Sequence, residues 1–445
     1  MVKASSSQPR LSNVLVLDNG AYTIKAGYAT RNTDLSDCAT IPNCIARSRD
    51  RRLYIGKQLE ACKDFGSIVF RQPVEKGYIV NWESEKEIWD KILFDEESLL
   101  KCDTKSTTLI LTEAPNAPTP LQTNVDQMVF EEYEFGAYYR CPASQLIAWN
   151  DIGHLLDPSA APQHNAAECV LVVDSGYSFT HVVPVINGKP YQAAIRRIDV
   201  GGKVLTNYLK ELFSIRQLNM MDETYIVNEI KESCCYISTD PKRDLDICKR
   251  MRRNDIVKEY VLPDYKSLFT GVLRDKPERG QLGKDAEQTL VVGNERFMAP
   301  ELLFHPGDVG YRQAGLPEVI MRAVNIVPEE YRALLLANIV LIGGNSLLKG
   351  LKERLESDLV PMAPENCIVR ISIPDDPIKY AWQGGVALGN NKTALEQHRI
   401  TRAEYLEHGS TWLAKRMTGQ SAHVGQAGGS SGTISSNKRR RGSPG

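Results

Sequence analysis

Two segments of the chain, VLVLDNGAYTIKAGYA at 14–29 and VLVVDSGYSFTHVVPVING at 170–188, share one design: an apolar run of four, then Asp-x-Gly, then a second strand-like run. No other feature constrains the fold as much. Short apolar runs broken by a glycine turn read as antiparallel strand pairs, and the two together are an internal repeat of β-hairpins. With 445 residues the chain is longer than one hydrophobic core normally supports, so two lobes are expected on length as well. A third apolar run, Ile339 to Ile342, leads into Gly343-Gly344, and the spacing of Leu347, Leu348, Leu351 and Leu355 predicts one face of a helix behind it.

The hairpin turns are where a ligand can meet the backbone. Gly20 and Gly176 lack a Cβ, so neighbouring amides can cradle a phosphate. Asp18 and Asp174 end the two apolar runs, and two carboxylates facing each other across a cleft could hold the water shell of one Mg²⁺. Lys25, on the returning strand, could supply a point charge to phosphate. A glycine pair between strand and helix lets a flat ring or a phosphate approach. Each element alone is also explained by a tight turn or by close packing; the order hairpin, hairpin, Gly-Gly turn is what points to a nucleotide site.

Composition narrows the alternatives. The 54 Lys and Arg nearly balance 55 Asp and Glu, so the body as a whole is no electrostatic magnet for nucleic acid or membrane. The 10 cysteines include no CxxC pair and no Cys/His group of zinc spacing, and with no secretory leader they read as buried thiols of a reducing compartment. No run is apolar enough for a membrane span. After Gly419 the chain turns to Gly, Ser, Ala and Gln, which predicts a disordered tail over 419–445. Its Lys438, Arg439, Arg440 and Arg441 read either as a solvated cluster or as a nuclear localisation signal. The charged stretch 239–255 is expected to be a solvated loop or helix face.

The segments DNGAYTIKAGYA, KGYIVNWESEKEIW, LTEAP, DSGYSFTH, RRIDVGGKVLTNYL, IKESCCYI, GNERFMAPELLF, LIGGNSLLKG and KYAWQGG, in this order, resemble the actin family of the actin and sugar-kinase superfamily along almost all of residues 11–418. The resemblance implies an α/β, two-lobed actin-like fold with four subdomains around a nucleotide cleft. Residues 1–43, 73–153 and 377–418 would form subdomain 1 and 44–72 a short subdomain 2. Residues 166–201 and 306–376 would form subdomain 3 and 202–305 subdomain 4, with 154–165 as an inserted loop. The implied ligand is ATP or ADP with Mg²⁺. Asp18 and Asp174 match Mg²⁺-water carboxylates; Asn19, Gly20 and Lys25 match first-hairpin phosphate contacts, and Ser175 and Gly176 match the second. Lys231 and Glu232 match residues lining the nucleoside, Gly343 and Gly344 the adenosine turn, and Lys379 a residue beside the base.

The departures are as informative. Ala21-Tyr22 stands where the family has Ser-Gly, Tyr177 replaces an Asp, and Leu348 replaces a Tyr beside the adenine. The family's water-orienting Gln falls at Ala143; Gln145 lies two residues on, about 200° around a helix, and is expected to face elsewhere. Without a group that holds the attacking water, hydrolysis is expected to be slow or absent. Between Pro42 and Ile55 the charged RSRDRR offers no apolar plug for head-to-tail assembly, so a homo-filament is not expected. By the habit of its nuclear branch, the resemblance implies a non-catalytic scaffold in the nucleus, with some in the cytoplasm. That scaffold would belong to a chromatin-remodelling complex that exchanges the variant histone 2A.Z, with a helicase-like remodelling ATPase, a zinc-finger HIT subunit and the nucleosome as partners. An active ATPase would instead need a catalytic Asp or Gln in the cleft, and a cytoskeletal protein the missing loop.

Overall fold

In the computed structural model, which describes residues 13–417 apart from 67, 97, 99, 162–164, 251–253 and 276–286, both repeated segments are antiparallel hairpins. The first joins β1 (Asn13–Asn19) to β2 (Thr23–Tyr28), with Asp18 paired to Lys25. β2 pairs antiparallel with β3 (Ala39–Pro42), while β1 pairs in parallel with β4 (Thr107–Glu113) and β4 with β5 (Ala137–Pro142). Together with Ile400–Thr401 they make a mixed sheet of order 400–401, β5, β4, β1, β2, β3. The second hairpin joins β6 (Cys169–Ser175) to β7 (Thr180–Ile186), with Asp174 paired to His181. β6 pairs in parallel with β8 (Ile339–Ile342), so the second sheet repeats the plan of the first.

Each sheet has its own core, as two lobes require. Leu15, Leu17, Leu109, Leu111 and Tyr138 pack under the first sheet with Ile88 and Trp89 of α1 (Trp82–Phe94). Leu171, Val173 and Leu341 pack with Leu205, Leu209 and Phe213 of α2 (Gly202–Arg216) and with Val227 and Ile230 of α3 (Thr224–Cys234). On α3, Ile226, Val227, Ile230 and Cys234 are buried in this core. Tyr225, Asn228 and Glu232, at i, i+3 and i+7, share the other side of the helix.

Two stretches differ in detail from the expectation. The leucines after Gly343-Gly344 do not lie on one helix face: Gly344–Leu347 is a single 3₁₀ turn, and the helix starts only at Leu351, running to Leu359 as α5. Gly350, at φ 87°, interrupts it, because a left-handed residue cannot propagate an α-helix. Leu351 and Leu355 are therefore buried while Leu347 is exposed. The charged stretch contains the helix α4 (Pro241–Arg250), none of whose residues is buried, pinned by the Ser238 hydroxyl donating to Asp244 at 2.8 Å.

Ile45–Arg47 and Leu53–Ile55 form a tight hairpin closed by Ser48 and Arg52, and with Val69–Arg71 they build a small three-stranded sheet. The tail 419–445, with its basic run, lies outside the described residues. No helix among the described residues is long and apolar enough to cross a membrane.

Candidate functional site

The two hairpin turns face each other across a cavity of ≈ 800 Å³, in the size range of small-molecule sites. Asp18, Asn19, Gly20, Lys25, Asp174, Gly176, Lys231, Glu232, Gly343 and Gly344 line it. Two of the residues singled out from the sequence do not. The Ser175 hydroxyl is buried against Thr180 Oγ1 at 2.9 Å and accepts from Asn345 Nδ2 at 3.1 Å. Lys379 caps the helix Tyr380–Asn390, and its ammonium donates to the Leu35 carbonyl at 3.0 Å, leaving Pro377, Ile378 and Ala381 to line the wall.

Lining the cavity does not leave every side chain free. Lys231 donates to Asn228 Oδ1 at 2.7 Å and Thr206 Oγ1 at 3.2 Å, and its burial pushes the ammonium pKa down. It braces α3 against α2. The Asn19 amide donates to Glu85 Oε1 at 2.6 Å while its carbonyl oxygen accepts from Trp89 Nε1 at 3.1 Å, so the side chain is tied back into the lobe.

Two of the glycines are sterically enforced. A Cβ on Gly20 would stand 2.6 Å from the Thr23 carbonyl oxygen, and one on Gly343, at φ 87°, 2.4 Å from that of Ser175. Gly344 has nothing within 4 Å of that position, so the backbone there is open on one side. The Asn345 amide also donates to the Gly176 carbonyl at 3.0 Å, which fixes the glycine turn to the second hairpin.

The two carboxylates are unequal. Asp18 is paired with the Lys25 ammonium at 3.0 Å and accepts from Thr112 Oγ1 at 2.7 Å. Asp174 is raised to about 6, by burial first and by the nearby charge of Asp18 second, against the lowering effect of Lys25. One ammonium thus serves two hard oxygen donors, an arrangement a divalent cation would complete. No group of three or more His, Cys, Asp or Glu among the described residues makes a metal cage, so such an ion would draw its other ligands from water or phosphate. The residues therefore fit Mg²⁺ with a nucleotide: glycine turns for the phosphates and the ring, carboxylates for the ion.

Ala143, Tyr22, Tyr177 and Leu348 line the cavity, whereas Gln145 is turned away and donates to the Tyr139 hydroxyl at 3.0 Å. His181, Thr112, Asn228 and Asn345 also line it and escaped the reading of the residues. For His181 a signal existed: it stands opposite Asp174 as Lys25 stands opposite Asp18. Burial, with Arg197 adding, lowers its imidazole to about 4, so it is neutral at pH 7. The other three carry no local pattern.

Two matched hairpin-bearing sheets, closed over a deep cleft with glycine turns on its walls, define an α/β protein of actin-like fold. The chain belongs to the actin family, whose sequence model, described as Actin, matches residues 10–418. It is similar to "Actin-like protein arp6" of Emericella nidulans, at 44% identity covering 93% of this chain and 97% of that protein. It is also similar to "Actin-related protein 6" of Neurospora crassa, at 44% identity over 91% of this chain and 94% of the relative. To "Actin-related protein 6" of Drosophila melanogaster the identity is 35%, over 91% and 98%.

Proposed function

We propose that this actin-related protein is a scaffold that holds ATP or ADP with Mg²⁺ as a structural staple and hydrolyses it slowly or not at all. The observation that carries this reading is the cleft wall at Ala143: the position that would orient an attacking water has a methyl group, and Gln145 is bonded to Tyr139 behind it. Bound Mg²⁺ would neutralise phosphate charge. Asp18 and Asp174 would hold its water shell, the Gly20 and Gly176 turns would present amides to phosphate, and the Gly343-Gly344 turn would admit the base. A ligand clasped this way stabilises the folded state without turnover.

On the similarity to proteins named actin-related protein 6, the scaffold serves a nuclear chromatin-remodelling complex that exchanges the variant histone 2A.Z. Its partners there are a helicase-like remodelling ATPase, a zinc-finger HIT subunit and the nucleosome. The charged hairpin turn at Ser48–Arg52 lacks an apolar tip, which favours a subunit over a homo-filament. One observation favours a second reading, a slow ATPase: His181 is neutral and lines the cleft, where it could accept a proton from water.

Purification from nuclei tests both readings. Mass spectrometry should find nucleotide in the acid extract and the remodelling subunits among co-eluting proteins, and phosphate release should stay at the blank. An empty cleft would remove the staple. Turnover abolished by His181→Ala would favour the ATPase.

A further inference from the structure

Tyr22 follows the first hairpin's glycine turn and Tyr177 follows the second's, and their rings stack across the cleft with centroids 5.0 Å apart and planes 28° from parallel. Their hydroxyls cross over. Tyr22, from the first lobe, accepts from Asn228 Nδ2 of α3 in the second at 3.1 Å; the Tyr177 hydroxyl, from the second lobe, accepts from Gln72 Nε2 of the first at 3.4 Å. The same Asn228 amide nitrogen also donates to Glu232 Oε1 at 2.7 Å, and its oxygen accepts from Lys231, so the clasp is anchored in a bonded network.

The Gly343-Gly344 turn and Glu232 mark the wall that would take a nucleoside, and a phosphate chain leaving that wall ends between the hairpin tips. There the two rings already join the lobes. A third phosphate would have to part the stack, strip both hydroxyls of their donors and bring further negative charge toward Asp18, Asp174 and Glu232. The nearest ammonium groups give little compensation, since Lys25 is paired with Asp18 and Lys231 is tied to Asn228 and Thr206. A diphosphate, one group shorter, would leave the stack and its hydrogen bonds in place.

We infer that the Tyr22–Tyr177 clasp takes the place of a terminal phosphate and makes the cleft selective for nucleoside diphosphates over triphosphates. This rests on the proposal above that the cleft holds a Mg²⁺-nucleotide. The test is competition of Mg·ADP and Mg·ATP against a fluorescent ADP analogue on the full chain. Mg·ADP should compete at least tenfold better. Tyr22→Phe, which keeps the ring, should retain that ratio, while Tyr22→Gly with Tyr177→Gly should bring it toward unity. Tyr22→Ala alone should move it partway, should the double variant not fold. Wild-type protein that binds Mg·ATP as tightly as Mg·ADP overturns the selectivity and leaves the staple standing. A ratio untouched by Tyr22→Ala, with ADP binding intact, overturns the clasp as its cause. Failure of both nucleotides to bind overturns this inference and the staple together.

Discussion

Glu85 sits fully buried behind the first hairpin, accepting from the Asn19 amide with one oxygen while the other has no partner within the protein. Burial raises it to about 7, against the lowering effect of the neighbouring Asn19, Asn43 and Trp89 donors. Its pKa in the folded chain therefore lies above the usual carboxylate value. Stability is fully present below pH ~4.5, where the unfolded chain is protonated too, and is lost as pH rises through about 7. The loss at high pH is on the order of 3 kcal/mol. Glu85→Gln keeps an oxygen for Asn19 and removes the titration. Thermal melts between pH ~5 and ~8.5 should show the wild-type curve falling from pH ~5 to about 7 and levelling above it, with the variant nearly flat throughout; parallel curves would mean that Glu85 is not held protonated. The residue was invisible in the sequence, where KGYIVNWESEKEIW offers several acids and nothing local says which one faces inward.

Among elements, α3 has two working sides. Its apolar side holds the second lobe together, while Tyr225 at its start stacks on Phe65 of the small three-stranded subdomain, with centroids 4.0 Å apart and planes 7° from parallel. Phe70 and Tyr265 flank the pair. Stacked aromatic pairs contribute about 0.5–1.5 kcal/mol beyond the area they bury, so this contact ties the small subdomain to α3 as the tyrosine clasp ties the two hairpin tips. Tyr225→Ala should speed release of a bound fluorescent nucleotide by roughly threefold to tenfold while leaving the far-ultraviolet circular dichroism unchanged. An unchanged release rate in stopped-flow would show that opening does not pass through this contact. The clamp could not be read beforehand, because a tyrosine on a helix and a phenylalanine in a loop carry no mark of which partner they meet.

At the scale of the whole molecule, each lobe has its own core, a third cluster packs Ile147, Ala148 and Tyr380 of the first lobe on Val170, Val172 and Val340 of the second, and the cleft lies between the hairpins, so a ligand held there should add to stability. Removing nucleotide and Mg²⁺ with a chelator and a phosphatase should lower the melting temperature. Adding both back at 100 to 1,000 times the dissociation constant should restore roughly 3–4 kcal/mol. Melts that coincide with and without ligand would place the stability in the protein alone.

What the sequence by itself determined is what local pattern can carry. Apolar runs broken by Asp-x-Gly specify both hairpins and the placement of Asp18 and Asp174, because strand alternation and a glycine turn act over a few residues. The length of the chain specifies two lobes. The tertiary structure alone decided which side chains meet in the cleft. Asn228 reaches Tyr22 across 206 positions of the chain and Asn345 reaches Ser175 across 170, and no short-range regularity encodes such partners. It also decided against Lys379 and Ser175 as cleft-lining residues, and against a continuous helix face through Leu347, where the left-handed Gly350 breaks a spacing that fitted a helix. Spacing predicts what a segment can bury; the direction in which a side chain leaves its element, and the neighbour that takes its hydrogen bonds, follow only once the lobes have packed.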